Sequence, residues 1–311
     1  MAKFGRRESL QWSRFLASLL VAIMVVSSIV GIEPIGPYAN TMHDSGSKID
    51  SSLLDRTDSD DPLDLLVTYD TAASEFKARN ALALADRTAR IADTYDDLNM
   101  LRVSLVGKAI SQLAEHDFIT GIWSNEVQEI SESTSVSASS FTADEYISPV
   151  NTTGARNLWE QGYNGTGVVI AVLDTGIDSG HQDVNKVNAF ASFVEADTLP
   201  TDIIGHGTYA ASVAAGTGNM SSGLYAGIAP GATLLSAKVT LGGLFAAPSW
   251  IVSGIEWACS RGADIILLPF NTFGAPGDAV TLAVKEATEK GVLVVAASGD
   301  DGPDYLTIMS P

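Results

Sequence analysis

Two residues stand in settings that favour proton-transfer chemistry. Asp174 directly follows the apolar run 168–173 and begins an Asp-Thr-Gly turn. His206 has a glycine on each side and opens a stretch of small residues, so another part of the chain could approach its imidazole closely. A histidine acts as a general base near neutral pH, and a carboxylate fixes its tautomer. Asp174 and His206 are therefore the candidate acid–base residues.

Other chemistries that these motifs could signal do not fit the rest of the sequence. Asp-Thr-Gly also occurs in aspartic proteases, but those enzymes need two such carboxylates, and this sequence contains a single Asp-Thr-Gly. Gly165 and Gly167 resemble a nucleotide-binding glycine pair, but they precede the apolar run 168–173 instead of following it. The aspartic protease and dinucleotide-binding classes are therefore excluded.

From about residue 146 onward, apolar strand patterns alternate with helical patterns. The predicted strands cover 168–173, 233–239, 264–268 and 291–297, and the predicted helices cover 207–215, 249–261 and 278–290. Continuous apolar strands joined by helical crossovers predict an α/β fold whose parallel sheet is covered on both faces. Functional residues of such sheets gather at the carboxyl ends of the strands, which is where Asp174 stands.

A smaller domain is predicted between residues 62 and 130. Strand patterns at 63–69, 100–106 and 118–123 alternate with helical patterns at 74–98 and 108–116. This β-α-β-α-β order is typical of a small α+β domain of the split βαβ kind. Segments rich in Ser, Asp, Pro or Thr flank it at 33–61 and 131–148, and we interpret both as linkers.

Taken together, the motif blocks resemble those of the subtilisin-like serine proteases (subtilases). Segments 168–178, 205–208 and 227–232 carry the resemblance, and segments 249–258 and 291–297 strengthen it. It implies a subtilisin-like parallel sheet over 149–311, C-terminally incomplete, after a ferredoxin-like propeptide domain at 62–130 and a processing site within 131–148. It also implies polypeptide substrates, Asp174 as the acid and His206 as the base of an Asp-His-Ser triad, and the protein's own propeptide domain in the substrate cleft.

The triad serine is missing from the sequence. Relatives carry it in a Gly-Thr-Ser block several dozen residues beyond the position of Gly299, whereas this chain ends at Pro311 and contains no Gly-Thr-Ser. A chain of these 311 residues is therefore expected to be inactive. Two hypotheses stay open: the N-terminal portion of a serine endopeptidase zymogen, or a truncated, non-catalytic pseudoprotease that binds or inhibits another protease.

Three further positions depart from the family pattern. Asp300 stands where relatives usually carry the asparagine that donates a hydrogen bond to the oxyanion, and an ionised aspartate cannot donate one. Pro269 removes a backbone donor from the strand that normally lines the substrate cleft. Tyr209 stands where relatives often carry a second histidine. Substrate specificity is therefore not carried over from the family.

Asp183 matches a position that ligates calcium in many relatives. Calcium takes about six to eight oxygen ligands, and the segment 217–227 that would supply more of them is short. Asp183 is thus the candidate calcium ligand, with a solvated surface carboxylate as the alternative. The chemistry implied by the triad requires no cofactor.

Charge composition excludes some partners and indicates an export segment. The formal net charge is −19, and nucleic-acid binding is excluded because neutralising phosphates takes many Lys and Arg residues. The single cysteine excludes a disulfide framework and a cysteine-based zinc site. Residues 1–32 are basic and contain the uncharged run 15–30, which predicts a signal peptide or a membrane anchor. We therefore expect an exported protein, secreted or anchored with its catalytic part outside, that touches the membrane only if this segment is uncleaved.

Overall fold

Two larger sheets, of four and five strands, organise the described part of this protein. The structure is a computed structural model that describes residues 47–70, 72–130, 149–199, 201–272, 277–299 and 308–310. One sheet has four antiparallel strands and the other has five parallel strands. The predicted export segment 1–32 and the predicted linker 131–148 lie outside the described residues.

The four-stranded sheet belongs to a small α+β unit within residues 47–130. Its elements are strand β1 (Pro62–Tyr69), helix α1 (Ala72–Ala85), strand β2 (Arg90–Tyr95), strand β3 (Met100–Val106), helix α2 (Ala109–Ala114), strand β4 (Ile119–Ser124) and the short strand β5 (Gln128–Glu129). The sheet order is β2-β3-β1-β4 with antiparallel neighbours. This is the split βαβ, or ferredoxin-like, arrangement.

The helix predicted over 74–98 is wrong in its second half, because α1 ends at Ala85 and β2 follows it. Asp86 ends the helix, since its carboxylate accepts the N–H and the hydroxyl of Thr88 and the N–H of Val106. The first five residues of β2 are exposed at the sheet edge. A solvated edge strand carries polar residues along its length, so its sequence lacks the apolar alternation of the other strands.

Part of the predicted linker 33–61 packs against this unit. A 3₁₀ helix spans Ser51–Arg56, and its Leu53 is buried in the core between the sheet and its helices. Ile49 forms a parallel bridge with Ile122 of β4, and Asp50 donates its N–H to the carbonyl of Ile122. The packed unit therefore includes residues that precede residue 62.

The five-stranded sheet carries both candidate acid–base residues. Its strands are β6 (Val169–Asp174), β7 (Val187–Ser192), β8 (Thr233–Lys238), β10 (Ile265–Leu268) and β11 (Leu293–Ala296), while the short strand β9 (Phe245–Ala246) pairs with β5. The helices are α3 (Pro149–Thr153), α4 (Ala155–Trp159), α5 (His206–Ala215), α6 (Pro248–Ser260) and α7 (Ala279–Glu289). All four predicted strands and all three predicted helices are present, within one or two residues at most ends.

Helices cover both faces of this sheet, as predicted. The strand order is β11-β10-β6-β8-β7, so β6 is central. Successive residues of a strand point to opposite faces. Val172 lies in one apolar cluster with Ala214 of α5, and Leu173 lies in another with Ile255 of α6. The α/β fold with a parallel, doubly covered sheet is therefore confirmed, and β7 is an additional edge strand that its sequence did not reveal.

An apolar cluster joins the first unit, which contains the four-stranded sheet, to the second unit, which contains the five-stranded sheet. The first unit contributes Leu66, Tyr95, Met100, Trp123 and Ile130, and the second contributes residues of β9, α6 and α7 that include Ala246, Trp250, Ile251, Val280 and Ala283. The strands β5 and β9 pair antiparallel, with Gln128 opposite Ala246. Segments 33–140 and 141–311 each carry a formal charge of −11. Apolar burial and strand pairing, rather than opposite net charge, therefore hold the units together.

Candidate active site

Asp174 is fully buried at the carboxyl end of the central strand β6. Lys238 of β8 lies opposite Asp174 in the sheet, and the backbone carbonyl of Asp174 accepts the N–H of Val239. The carboxylate oxygen Oδ1 accepts the N–H of Thr175 at 2.5 Å. Strand pairing and this hydrogen bond together fix the direction in which the carboxylate points.

His206 meets that carboxylate from the first turn of helix α5. Its Nδ1 lies 2.9 Å from Oδ2 and 3.0 Å from Oδ1 of Asp174. The helix can begin at His206 because Gly205 has a φ of 99°, a left-handed conformation that favours glycine. The side chain of His206 is 15% exposed and that of Asp174 is 0% exposed, so the buried carboxylate holds an imidazole that still reaches solvent.

This geometry determines which ring nitrogen can act as a base. An ionised carboxylate only accepts hydrogen bonds, so the neutral imidazole donates its Nδ1–H to Asp174 and keeps its lone pair on Nε2. Nε2 can then take a proton from a hydroxyl, and the carboxylate stabilises the imidazolium that results. The structure thus brings together the two residues that the sequence singled out.

Sequence reasoning missed a second buried carboxylate beside the pair, that of Asp202. Its side chain accepts the N–H of Gly205 and of Thr208, each at 2.8 Å, and the hydroxyl of Thr175 at 2.9 Å. A sequence signal existed, because an aspartate a few residues before the start of a helix commonly caps it. Ile203 and Ile204 lie between Asp202 and Gly205, so this aspartate does not stand directly before the first helical residue.

Asp183 receives its hydrogen bonds from protein donors. Its Oδ1 accepts the N–H of Met220 at 3.0 Å and the hydroxyl of Thr217 at 3.4 Å. Among the described residues, no three His, Cys, Asp or Glu side chains come together as a group that could hold a metal ion. Calcium also takes backbone carbonyl and side-chain amide oxygens as ligands, so the absence of such a group does not bear on it, and no step below uses a metal. Calcium binding at Asp183 stays a sequence-based prediction.

Three further positions were singled out by the sequence, namely Asp300, Pro269 and Tyr209. Asp300 lies outside the described residues. Pro269 directly follows β10, and Ala297 donates its N–H to the carbonyl of Leu268, so the two strands stay paired up to the proline. Tyr209 lies on α5, one turn after His206, and its side chain is largely exposed.

Comparison with known proteins identifies the family of the second unit. The subtilase family model (Peptidase S8) matches residues 165–311. Subtilisin E of Bacillus subtilis (strain 168) is 40% identical over 156 residues, which are 49% of this chain and 39% of that protein. Subtilisin BL of Lederbergia lenta is 42% identical over 163 residues, 52% of this chain and 57% of that protein. The major intracellular serine protease of Bacillus subtilis (strain 168) is 40% identical over 157 residues, 48% and 47% of the two chains.

The chain spans between 39% and 57% of the length of these relatives. Among solved structures it is similar to fervidolysin from Fervidobacterium pennivorans, described as a keratinolytic enzyme related to subtilisin. The TM-score is 0.55 at 20% identity, over 76% of this chain and 39% of that one, which supports the shared fold. The matched residues contain both members of the Asp174–His206 pair. Residues 165–311 therefore form a subtilase (Peptidase S8) domain.

Proposed function

We propose that this protein is a serine endopeptidase that hydrolyses peptide bonds with Asp174 as the triad acid and His206 as the triad base. The observation that carries the proposal is the distance of 2.9 Å between Nδ1 of His206 and Oδ2 of the buried Asp174. Residues 1–311 contain no Gly-Thr-Ser, so the proposal requires a triad serine outside them. The proposal therefore concerns the protein as its gene encodes it.

The proposed reaction follows the acyl-transfer scheme of a Ser-His-Asp triad. Nε2 of His206 removes the proton of the serine hydroxyl while Oγ forms a bond to the substrate carbonyl carbon. Asp174 holds the ring and stabilises the imidazolium. The imidazolium then gives its proton to the amide nitrogen as the C–N bond breaks, which releases the amine and leaves an acyl-enzyme. Water attacks that ester with the same base and frees the acid.

The small unit at residues 47–130 has the proposed role of an inhibitory propeptide that docks in the substrate cleft. The strand that pairs with β5 is β9, and the chain reaches it directly from the end of β8. This connection begins beside the acid–base pair, because Lys238 at the end of β8 lies opposite Asp174. After β5, Ile130 donates its N–H to the carbonyl of Leu244 at 2.8 Å, and its side chain is buried. A strand added in this way resembles an extended peptide bound along a sheet edge.

Polar contacts supplement this docking. The side-chain Oδ1 of Asn125 accepts the N–H of Ser249 at 2.8 Å and so caps the first turn of α6. The hydroxyl of Tyr95 lies 3.1 Å from that of Ser253. Both contacts join the first unit to α6, which supports a defined docking geometry for the proposed propeptide.

The test of the proposed function is self-processing. The protein is expressed as its gene encodes it, and its mass is followed with time beside its hydrolysis of casein. We expect cleavage within 131–148 and casein hydrolysis in the wild type, and neither in His206→Ala, because the base is gone. His181→Ala is the matched control, since the imidazole of His181 accepts the backbone N–H of Asp183 and lies outside the pair.

Two results would contradict the proposal. Cleavage that persists in purified His206→Ala would mean that another group performs it. A wild type that stays uncut and hydrolyses nothing, but inhibits a purified subtilisin, would favour the non-catalytic, protease-binding alternative.

Export is part of the proposal. It is supported by the basic residues that precede the apolar run 15–30. This run lies outside the described residues, among which no helix is long and apolar enough to cross a membrane. One matched relative is named as intracellular, so the relatives alone do not select a compartment. An N-terminal sequence of the secreted product would locate the cleavage point.

The free energy of unfolding should depend on pH through Glu256 of α6, which lies where the two units meet. Burial, together with the charge of Asp97 in the first unit, raises the pKa of this carboxyl from 4.5 to about 7. Asp96 and Glu286 act in the same direction as Asp97, and Lys290 acts against them. A pKa that is raised in the folded state gives stability that is complete below the unfolded value and is lost as the pH rises through the folded value. As the pH rises from 4.5 to about 7, we expect ionisation of Glu256 to lower the free energy of unfolding by about 1–3 kcal/mol.

Urea unfolding at a series of pH values measures this effect. Glu256→Gln should flatten the decrease in the free energy of unfolding between pH 4.5 and about 7, since a glutamine side chain does not titrate. Glu289→Gln is the control, because Glu289 lies on α7 with its side chain 61% exposed and should keep the wild-type slope. Identical slopes for Glu256→Gln and wild type would contradict the assignment.

A further inference from the structure

The buried carboxylate of Asp202 gathers five hydrogen bonds from both segments of the acid–base pair. Oδ1 accepts the hydroxyl of Thr175 at 2.9 Å and the N–H groups of Ile204 and Gly205 at 3.1 and 2.8 Å. Oδ2 accepts the N–H of Thr208 at 2.8 Å and its hydroxyl at 2.6 Å. Thr175 follows Asp174, whereas Gly205 and Thr208 flank His206, so one side chain ties the two segments to each other.

The two threonines extend this network across the gap between the segments. The hydroxyl of Thr175 donates to Asp202 and accepts the N–H of Gly207 at 2.9 Å. The hydroxyl of Thr208 donates to Asp202 and accepts the N–H of Asp178 at 2.9 Å. The residues on each side of His206 are therefore held against the turn that follows Asp174, and the position of the imidazole relative to its carboxylate depends on these bonds.

Every bond to Asp202 has the same direction, because each partner donates and the carboxylate only accepts. Burial alone would raise the pKa of this carboxyl, but the hydrogen bonds from Thr208, Gly205 and Thr175 outweigh burial and hold the pKa below its ordinary value. The side chain therefore stays ionised near neutral pH. An asparagine at this position would turn an N–H₂ group toward donors on one side, so it cannot reproduce the network.

We propose that Asp202 is a positioning residue of the candidate active site, which acts through Thr175, Gly205 and Thr208 to hold the imidazole of His206 in hydrogen-bonding register with Asp174. Its relevance to catalysis rests on the proposed function, whereas its effect on the geometry of the pair does not. Asp202 bonds to the backbone and the hydroxyl groups on each side of the histidine, and it works through them.

The test observes the hydrogen bond itself in the full chain. The Nδ1 proton of His206, bound to a carboxylate, gives a low-field proton resonance that is assigned by its loss in His206→Ala. We expect this resonance to move upfield and broaden in Asp202→Asn. Thr175→Val should produce the same change, because it removes the hydroxyl, and Thr175→Ser should restore the wild-type signal. The threonine variants keep the test decisive if Asp202→Asn does not fold.

Asp197→Asn is the matched control for a merely structural effect. Asp197 is paired at 2.8 Å with the buried Lys238, so its loss should lower the melting temperature without moving the His206 resonance. In the protein as its gene encodes it, Asp202→Asn should lower kcat about tenfold with KM nearly unchanged. A folded Asp202→Asn protein with the wild-type resonance would overturn the inference, as would an Asp197→Asn protein with an equal shift. A wild type without hydrolytic activity would contradict the proposed function alone, since the resonance does not depend on it.

Discussion

Replacing Asp174 by asparagine is expected to lower kcat for peptide hydrolysis on the order of 10⁴-fold, a size carried over from triad aspartates in serine proteases including subtilisin. The reason lies in the contact of 2.9 Å between Asp174 and Nδ1 of His206. An asparagine can donate its N–H₂ to Nδ1, which moves the ring proton to Nε2 and leaves no lone pair for the serine proton. The volume of the side chain hardly changes, so the fold should be retained.

The comparison that isolates this effect is Asp178→Asn. Asp178 belongs to the same turn, but its carboxylate accepts the N–H of Gly180, whereas that of Asp174 pairs with Nδ1 of His206. Its substitution should change kcat by no more than about twofold, as is usual for positions near the surface. The measurement is steady-state hydrolysis of a peptide substrate by the protein as its gene encodes it. Full activity in Asp174→Asn would remove Asp174 from the proposed mechanism.

Sequence reasoning succeeded where one physical pattern dominated a segment. β3 has the predicted bounds 100–106, because alternate residues of that strand are buried and the alternation is visible in the sequence. The edge strands β2 and β7 were not recognised, since neighbours pair with only one of their sides and exposed residues interrupt their apolar pattern. Tertiary position, rather than local propensity, makes these two segments strands.

The same distinction applies to the candidate site. Asp174 and His206 were found because motif glycines and a strand end mark them in the sequence. Asp202 was not found, since its role depends on contacts with Thr175, which is distant in the sequence and adjacent only in the folded chain. The pairing of β5 with β9 is equally non-local. Sequence patterns thus identified groups that react, and the structure was needed for the groups that hold them in place.

Replacing Gly207 by alanine is expected to separate the acid from the base. A Cβ at this position would lie 2.1 Å from the carbonyl oxygen of Gly176 and 3.1 Å from the Cβ of Asp174. The first neighbour is backbone and cannot rotate away, so α5 must shift away from the end of β6. A displacement of about 1 Å in a catalytic pair can cost on the order of 10²-fold in rate. Forcing extra volume into this contact should also cost about 1–3 kcal/mol of stability.

Two measurements on Gly207→Ala and one control separate these effects. The Nδ1 resonance of His206 reports the contact with Asp174 in the full chain, and urea unfolding reports the free energy of unfolding. Gly180→Ala is the control, because the nearest atom to its added Cβ is the carboxylate oxygen of Asp178, 3.1 Å away at the end of a movable side chain. If Gly207→Ala kept both the wild-type resonance and wild-type hydrolysis, close packing of α5 against β6 would not be what brings His206 to Asp174. The glycine at residue 207 would then be explained by helix α5 itself and not by its contact with β6.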